Sequence, residues 1–86
     1  MLYWGTKTTG AIPTINTLHT GQNIRRLIDL AGLSVKEVQS VFGFETPCAI
    51  YKWLRGDSMP SLDNLVVLAH ILDVGIDDIV VIEMVS

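Results

Sequence analysis

Residues 34–56, SVKEVQSVFGFETPCAIYKWLRG, carry start signals for two short helices in close succession. Ser34 is a residue type that caps helix N-termini, and Glu37, three positions later, completes the pattern of a capping box. Thr46 is a second N-capping residue, and Pro47 follows at the first helical position, where its missing N–H removes no hydrogen bond. The segment therefore predicts two separate helices rather than one long helix or a strand.

Gly43 lies between the two predicted helices and favours a tight turn there. Glycine readily adopts the left-handed backbone conformation that commonly ends a helix. Two helices of about two to three turns that are joined through a short Gly-containing turn form a helix-turn-helix unit. The second helix of such a unit has the size to enter the major groove of DNA. The pattern thus indicates sequence-specific binding of double-stranded DNA.

The composition is consistent with one small cytoplasmic domain. The chain has 86 residues, of which 49% are hydrophobic, so a core can form without disulfides or metal ions. The single cysteine excludes an intramolecular disulfide and fits a reducing compartment. No apolar run approaches the roughly 18–20 residues of a membrane span, and the N-terminus lacks the apolar segment of a secretory signal. We therefore expect a cytoplasmic protein without a membrane segment.

The net charge of −3 argues at first against a nucleic-acid partner, but the charges are unevenly distributed. Residues 21–56 hold five basic residues against three acids, whereas residues 57–86 hold six acids and no Lys or Arg. The five basic residues are Arg25, Arg26, Lys36, Lys52 and Arg55. One part of the molecule is thus expected to attract phosphate, while the acidic part repels phosphate and orients the protein as it approaches DNA. The alternative is an ordinary acidic domain with solvated charges, because five basic residues are few for a DNA-binding protein.

The N-terminal third of the chain predicts an extended arm followed by a helix. Residues 1–20 lack a helical period and are rich in Thr, with one short strand expected at 12–17. Thr20 is the expected cap of a first helix over 21–31, whose apolar positions fall at i, i+3, i+4 and i+7. These positions are Ile24, Leu27, Ile28 and Ala31.

Periodic apolar residues predict four more helices. They cover residues 35–42, 47–55, 62–72 and 76–80, with Ser61 as the cap of the fourth helix of the chain. The expected core positions of helices two to four are Val35, Val38, Val41 or Phe42, Ala49, Ile50, Trp53, Leu62, Leu65, Leu68, Ala69 and Leu72. The prediction is an all-α domain over 21–80, flanked by the arm 1–20 and by a strand-like tail 81–86.

The tail sequence VVIEMV has the β-branched character of a strand, and the arm carries the apolar side chains of Tyr3 and Trp4. The two segments are expected to form a small sheet. They pair either within one chain or between two chains by edge-to-edge addition.

Three segments resemble the Cro/C-repressor type helix-turn-helix family, also called the xenobiotic-response-element family. They are IRRLIDLAGLSVKEV, AIYKWLRG and MPSLDNLVVLAHILDVGIDDIV, and in order and spacing they match the family over residues 23–80. The resemblance implies a five-helix domain that forms a homodimer, binds a short inverted repeat of double-stranded DNA and represses or autoregulates transcription. The turn between helices two and three is one residue longer than the common form in that family.

The resemblance also implies which residues meet DNA. In the family, side chains at the start and on the outer face of helix three read bases, and the matching positions are Pro47, Cys48, Tyr51 and Lys52. The implied phosphate contacts are Lys36 at the start of helix two, and Arg55 and Ser58 after helix three. Thr46, beside helix three, and Arg25 or Arg26 on helix one are further expected phosphate contacts.

Several of these residues also have a purely structural interpretation. Lys52 can donate to guanine O6 and N7, but otherwise it is a solvated surface lysine. Arg55 fits a phosphate clamp and also a stabilising position at a helix C-terminus. Tyr51 can touch a thymine methyl group or simply remain exposed. An arginine of helix one can form a surface ion pair with Asp29 instead of contacting phosphate.

No residue pattern in the chain indicates catalysis or a cofactor. Cys48 is expected in the first turn of a helix, where thiols are activated, yet a lone cysteine is more often a small residue that faces a groove. His19 and His70 do not have metal-ligand spacing, and no nucleophile with its base or Gly-rich phosphate loop is present. We therefore expect no enzyme, metal or cofactor. The chief alternative to a transcriptional regulator is an antitoxin or adaptor whose arm and tail bind a protein partner.

Overall fold

The computed structural model describes residues 12–85, which form five helices and a two-stranded antiparallel sheet. The elements in chain order are β1 (Ile12–Ile15), α1 (Thr17–Leu30), α2 (Val35–Phe42), α3 (Cys48–Arg55), α4 (Leu62–Leu72), α5 (Ile76–Ile79) and β2 (Ile82–Val85). The prediction of five helices with short terminal strands is confirmed. Within the described range, none of the helices has the length and apolar character needed to cross a membrane.

Strands β1 and β2 pair with each other in one chain, in a register that places Ile12 opposite Val85. Of the two arrangements predicted for these segments, the structure contains the one within a single chain. The predicted contribution of Tyr3 and Trp4 to this sheet lies outside the described residues.

The two faces of this ribbon differ in polarity, because side chains alternate between the faces along each strand. One face carries four apolar residues, Pro13, Ile15, Ile82 and Met84, and is called the apolar ribbon face below. The opposite face carries Ile12, Thr14, Glu83 and Val85. All eight residues are exposed. The ribbon therefore leaves an uncharged surface uncovered within the part of the chain that the structure describes.

Helix α1 begins earlier than predicted. Its N-cap is Asn16, whose side chain accepts a hydrogen bond from the N–H of His19 at 2.8 Å. Thr20, the predicted cap, is fully buried inside the helix, and its hydroxyl accepts the N–H of Val81 at 2.9 Å. The prediction of a helix start at residue 21 was wrong because Asn16, itself an N-capping residue type, begins the helix, while the hydroxyl of Thr20 bonds a residue 61 positions away.

The core draws apolar side chains from every helix. Its buried members are Ile24, Leu27, Ile28, Val38, Ile50, Trp53, Leu54, Leu65, Leu68, Leu72 and Ile79. Of the two candidates at the end of α2, Phe42 packs against this core and Val41 is exposed. The predicted burial of Ala31 and Leu62 was wrong. Both are exposed, because Ala31 lies after the last residue of α1 and Leu62 is the first residue of α4.

Helix α1 packs so closely against the C-terminal end of α3 that Gly21 of α1 has no space for a side chain. A Cβ atom there would lie 2.7 Å from the carbonyl oxygen of Leu54 and closer still to that of Trp53. At Gly56, directly after α3, a Cβ atom would lie 2.8 Å from the Cα atom of Leu18. These contacts fix the C-terminal end of α3 on α1.

The side chain of Asn23 in α1 and the backbone of Asn16 before it hold the C-terminal segment in place. Asn23 donates from Nδ2 to the carbonyl oxygens of Asp78 and Ile79, at 2.7 and 3.0 Å. The N–H of Asn16 donates to the carbonyl oxygen of Val81 at 2.8 Å. These bonds satisfy backbone carbonyls at and after the end of α5, which have no partner inside the helix. They also guide the chain from α5 to its position beside β1.

Candidate nucleic-acid interface

The turn between α2 and α3 is fixed at its first residues by backbone and side-chain hydrogen bonds. Gly43 has a φ angle of +72°, which is the left-handed conformation predicted for it. The N–H of Phe44 donates to the carbonyl oxygen of Gln39 at 3.2 Å, and Gln39 Nε2 donates back to the carbonyl oxygen of Phe44 at 3.1 Å. Gln39 thus closes the end of α2 with both its backbone and its side chain. The predicted capping box of Ser34 and Glu37 at the start of α2 is also present.

Three aromatic rings connect the turn to both helices. Phe42 and Phe44 stack with ring centroids 5.0 Å apart. Trp53 of α3 meets both rings edge-on, with centroid distances of 5.5 Å to Phe42 and 6.1 Å to Phe44. These stacked and edge-on geometries are the favourable ones for aromatic pairs. The triad therefore sets the position of α3 relative to α2 across the long turn.

Helix α3 begins at Cys48, one residue later than predicted, and its N-terminus is weakly capped. The hydroxyl of Thr46 accepts a hydrogen bond from the N–H of Cys48, but the distance is 3.4 Å. The carbonyl oxygen of Pro47 accepts the N–H of Tyr51 at 3.0 Å, so Pro47 already contributes to the helical hydrogen bonds. The N-cap of α3 is Pro47, without a side-chain hydrogen bond at the cap, so the prediction of Thr46 as the N-cap was wrong. Thr46 accepts only the N–H of the first helical residue, because the helix begins one residue later than predicted.

The two sides of α3 have opposite character. Ile50, Trp53 and Leu54 are buried in the core. Cys48, Tyr51, Lys52 and Arg55 are exposed, and Pro47 before the helix is half-buried. Three of the four predicted base-contacting side chains are therefore accessible to a partner molecule on the outward side of this helix.

An open depression of about 560 Å³ lies between the turn and the outward side of α3. Four predicted DNA contacts line it, namely Thr46, Cys48, Lys52 and Ser58. Its remaining lining residues are Gly43, Phe44, Glu45 and Ala49. Side chains that precede, form and follow α3 thus meet at one concave surface, called the α3 depression below.

A second open depression of about 450 Å³, the α2 depression, lies beside α2 and the turn. It is lined by Lys36, Gln39 and Ser40 of α2 and by the turn residues Gly43, Phe44 and Glu45. The two depressions share these three turn residues. The predicted phosphate contact Lys36 and the predicted base contact Lys52 therefore line adjoining depressions that meet at the turn.

Glu45 lines both depressions, and the sequence analysis did not single it out. A signal for it was present, because it is the one acidic residue between Glu37 and Asp57. A search for basic and hydrogen-bond-donating side chains at DNA-contacting positions does not select an acid. Glu45 becomes notable in the structure because the turn that carries it lines both depressions.

The three predicted arginine contacts line neither depression. Arg55 Nε pairs with Asp57 Oδ2 at 2.9 Å, and both side chains are more than half exposed. Arg26 donates from Nε and Nη2 to Oδ1 of Asn23, at 3.2 and 2.8 Å. The ion pair with Asp29, which helical spacing offered as an alternative to phosphate contact, is absent from the described residues, and Arg26 donates to Asn23 instead. Over residues 12–85, the pair of Arg55 with Asp57 is the one salt bridge.

The side chains around the turn offer hydrogen-bonding groups, charge and one thiol. Over the described part of the chain, no three potential metal-ligating side chains lie together. Cys48, the single cysteine of the sequence, is exposed and lines the α3 depression. The two depressions also combine ammonium groups, hydroxyl groups and one carboxylate. The ammonium and hydroxyl groups can bind phosphate oxygens, and all three kinds of group can bind the edges of bases.

Comparison with known proteins gives two matches. A helix-turn-helix family model matches residues 24–79. The crystal structure of C.AhdI, a restriction-modification controller protein from Aeromonas hydrophila, is similar with a TM-score of 0.65 and 27% sequence identity. This similarity covers 73% of the present chain and 94% of C.AhdI. None of the curated proteins compared with the chain matches it significantly.

Proposed function

Since this chain belongs to the helix-turn-helix family of the Cro/C-repressor type, we propose that it is a cytoplasmic, sequence-specific transcriptional regulator, acting as a repressor. In this proposal α3 enters the major groove of double-stranded DNA. The observation that carries it is the outward side of α3, where exposed polar side chains adjoin a concave surface while the opposite side is fixed in the core. The similarity to the restriction-modification controller C.AhdI supports a regulatory role.

The proposed base contacts lie on α3. Lys52 donates to guanine, and Tyr51 contacts a thymine methyl group or a nearby phosphate. Pro47 and Cys48 contribute the shape of the surface that meets the groove, because neither side chain is a strong hydrogen-bonding group. Sequence preference thus depends chiefly on Lys52.

The proposed phosphate contacts surround these base contacts. Lys36 approaches the backbone from the α2 depression, and Thr46 and Ser58 approach from the α3 depression. Arg55 is available for phosphate although it pairs with Asp57, because an exposed ion pair contributes only about 0.2–1 kcal/mol. Arg25 and Arg26 complete the proposed set from α1, where the bonds of Arg26 to Asn23 pre-orient its guanidinium group.

The protein is further proposed to act as a homodimer that binds an inverted repeat. The surface that best suits a second copy is the apolar ribbon face, because two chains of net charge −3 can approach there without opposing charged groups. Glu83, the charged residue of the ribbon, lies on the opposite face and accepts a hydrogen bond from Asn16 at 2.9 Å. A two-stranded ribbon is also marginal by itself and gains stability from a covered apolar face. Two copies would present α3 to half-sites about 34 Å apart.

The test is selection of bound sequences from a random duplex pool by the full-length protein at about 150 mM salt. Enrichment of an inverted repeat is the expected result, and its half-site spacing measures the dimer geometry. Failure to enrich any sequence, with the protein folded by circular dichroism, would contradict the proposal. Sedimentation at tens of micromolar tests the dimer separately, and a monomer there would contradict it.

An interaction module of the antitoxin or adaptor type is the second candidate, and the apolar ribbon face is the observation that favours it. In that case the same face binds a different protein rather than a second copy. The two candidates differ in a measurable way. A monomer that selects no DNA sequence would support the second candidate, whereas a dimer that selects an inverted repeat would support the regulator. Neither candidate requires a cofactor or a catalytic group.

A further inference from the structure

Glu45 has an unexpected position for an acidic residue in a DNA-binding domain. It is exposed and lines both the α2 depression, which holds Lys36, and the α3 depression, which holds Lys52. These three are the charged residues that line the two depressions. A duplex that occupies both depressions therefore meets this carboxylate.

The local structure does not account for Glu45. Thr46, not Glu45, accepts the N–H at the start of α3. Among residues 12–85, the single salt bridge joins Arg55 and Asp57, so Glu45 is paired with neither lysine. Gln39 and the aromatic rings of the triad, rather than the carboxylate, hold the turn. Its charge is therefore free to act on a partner.

The chemistry of DNA restricts what this carboxylate can meet. Phosphate oxygens repel it, so contact with the backbone is unfavourable. In the major groove the amino group of cytosine, N4–H₂, is the donor that Glu and Asp typically accept from. Lys52, which shares the α3 depression with Glu45, has the complementary preference for guanine O6 and N7. The two side chains together match neighbouring cytosine and guanine bases.

We propose that Glu45 is a specificity-determining residue that accepts a hydrogen bond from cytosine N4 in each half-site, next to the guanine bound by Lys52. This inference rests on the proposed function, because it requires that α3 and the turn face the major groove. The turn between α2 and α3, which is one residue longer than the common form, then carries a base-contacting residue outside the recognition helix.

The test is sequence selection with the wild-type protein and the variants Glu45→Gln and Glu45→Ala. The wild-type half-site should contain one cytosine that depends on Glu45. Gln favours adenine, because it forms a bidentate pair with adenine N6 and N7, so Glu45→Gln should change that position from cytosine to adenine. Glu45→Ala should leave the position degenerate. In direct binding, replacing this cytosine should weaken wild-type binding about tenfold and leave Glu45→Ala binding unchanged.

Asp63→Asn is the matched control. Asp63 is an exposed acid in the first turn of α4, so its replacement removes one negative charge near a helix N-terminus outside both depressions. It should leave the selected sequence unchanged. If Glu45→Gln and Glu45→Ala strengthen binding to all duplexes equally and alter no position, Glu45 acts by repulsion alone and the inference is wrong, while the proposed function stands. If the wild-type protein selects no sequence, the proposed function and this inference both fail.

Discussion

The two ends of α3 are held in different ways. At its C-terminal end, α1 approaches so closely that Gly21 and Gly56 have no space for a side chain. At its N-terminal end, Pro47 provides no side-chain cap, and one long hydrogen bond joins the N–H of Cys48 to Thr46 in the preceding turn. Earlier in that turn, nothing lies within 4 Å of where a side chain at Gly43 would project. One end is therefore fixed by backbone packing and the other end is presented to solvent. A recognition helix benefits from this arrangement, because rigid support at one end keeps the exposed end in a defined position.

Gly21→Ala is the largest expected perturbation of the fixed end. The new Cβ atom would overlap the carbonyl oxygens of Trp53 and Leu54, which belong to backbone and cannot rotate away. We expect a loss of about 3 kcal/mol in the free energy of unfolding, measured by urea denaturation and circular dichroism. Gln22→Ala, at an exposed neighbouring position, is the control and should change stability by less than about 0.5 kcal/mol. Equal stability of the two variants would show that α1 can move away from α3 at little cost.

Gly56→Ala and Gly43→Ala compare the crowded C-terminal end of α3 with the open turn that precedes this helix. Both glycines have positive φ angles, +79° and +72°, so alanine suffers the left-handed penalty of about 1 kcal/mol at either position. Gly56 is also crowded by Leu18, whereas Gly43 has open space. We therefore expect losses of about 2–3 kcal/mol for Gly56→Ala and about 1 kcal/mol for Gly43→Ala in urea denaturation. Similar losses of unfolding free energy in both variants would contradict the proposed difference between the crowded end of α3 and the open turn.

Lys52→Ala and Lys36→Ala test the proposed DNA contacts of α3 and α2. Lys52→Ala should weaken binding to the selected sequence by about 1–2 kcal/mol and relax its preference, because it removes a base contact. Lys36→Ala should weaken binding to all sequences alike and reduce the slope of log affinity against log salt by about 1. Titration of specific and random duplexes at several salt concentrations measures both effects. Equal losses on specific and random DNA for Lys52→Ala would refute its role as a base reader.

Thr46→Ala should have the smallest effect, and it measures how much the hydrogen bond at the start of α3 contributes to stability. Its hydrogen bond to the N–H of Cys48 is 3.4 Å long, whereas Ser34 accepts the N–H of Glu37 at 3.1 Å within a reciprocal capping box. We expect Thr46→Ala to lower the free energy of unfolding by about 0.5 kcal/mol or less, and Ser34→Ala by about 1 kcal/mol. A larger loss for Thr46→Ala would mean that the start of α3 is fixed more firmly than its geometry indicates.

The sequence predicted those parts of the fold whose causes are local. The capping box of Ser34 and Glu37, the cap at Ser61 and the left-handed Gly43 are contained within a few residues, and all are present in the structure. The start of α1 was mispredicted because two capping residue types, Asn16 and Thr20, precede its apolar positions. The choice between them depends on Val81, which bonds the Thr20 hydroxyl from far away in the sequence and leaves Asn16 as the cap.

The sequence also indicated some residues of the candidate site and missed others. Lys36, Thr46, Cys48, Lys52 and Ser58 were expected at a DNA-contacting surface, and the structure places them along the two depressions beside the turn. For Arg26, helical spacing offered Asp29 as an alternative partner and did not reveal the hydrogen bonds to Asn23. Glu45 was missed because its importance depends on the shape of the turn.

The pairing of β1 with β2 has a consequence for the order of folding events. Asn16 and Glu83, which bridge the two ends of the domain, are 67 positions apart, and closing so long a loop is entropically unfavourable. The ribbon contributes little buried surface in return, because all of its side chains are exposed. It should therefore form last and open first, so native-state hydrogen exchange of the β1 and β2 amides should require less free energy than exchange in α3. The surface proposed for a second copy would then open and close many times within the lifetime of the folded recognition helix.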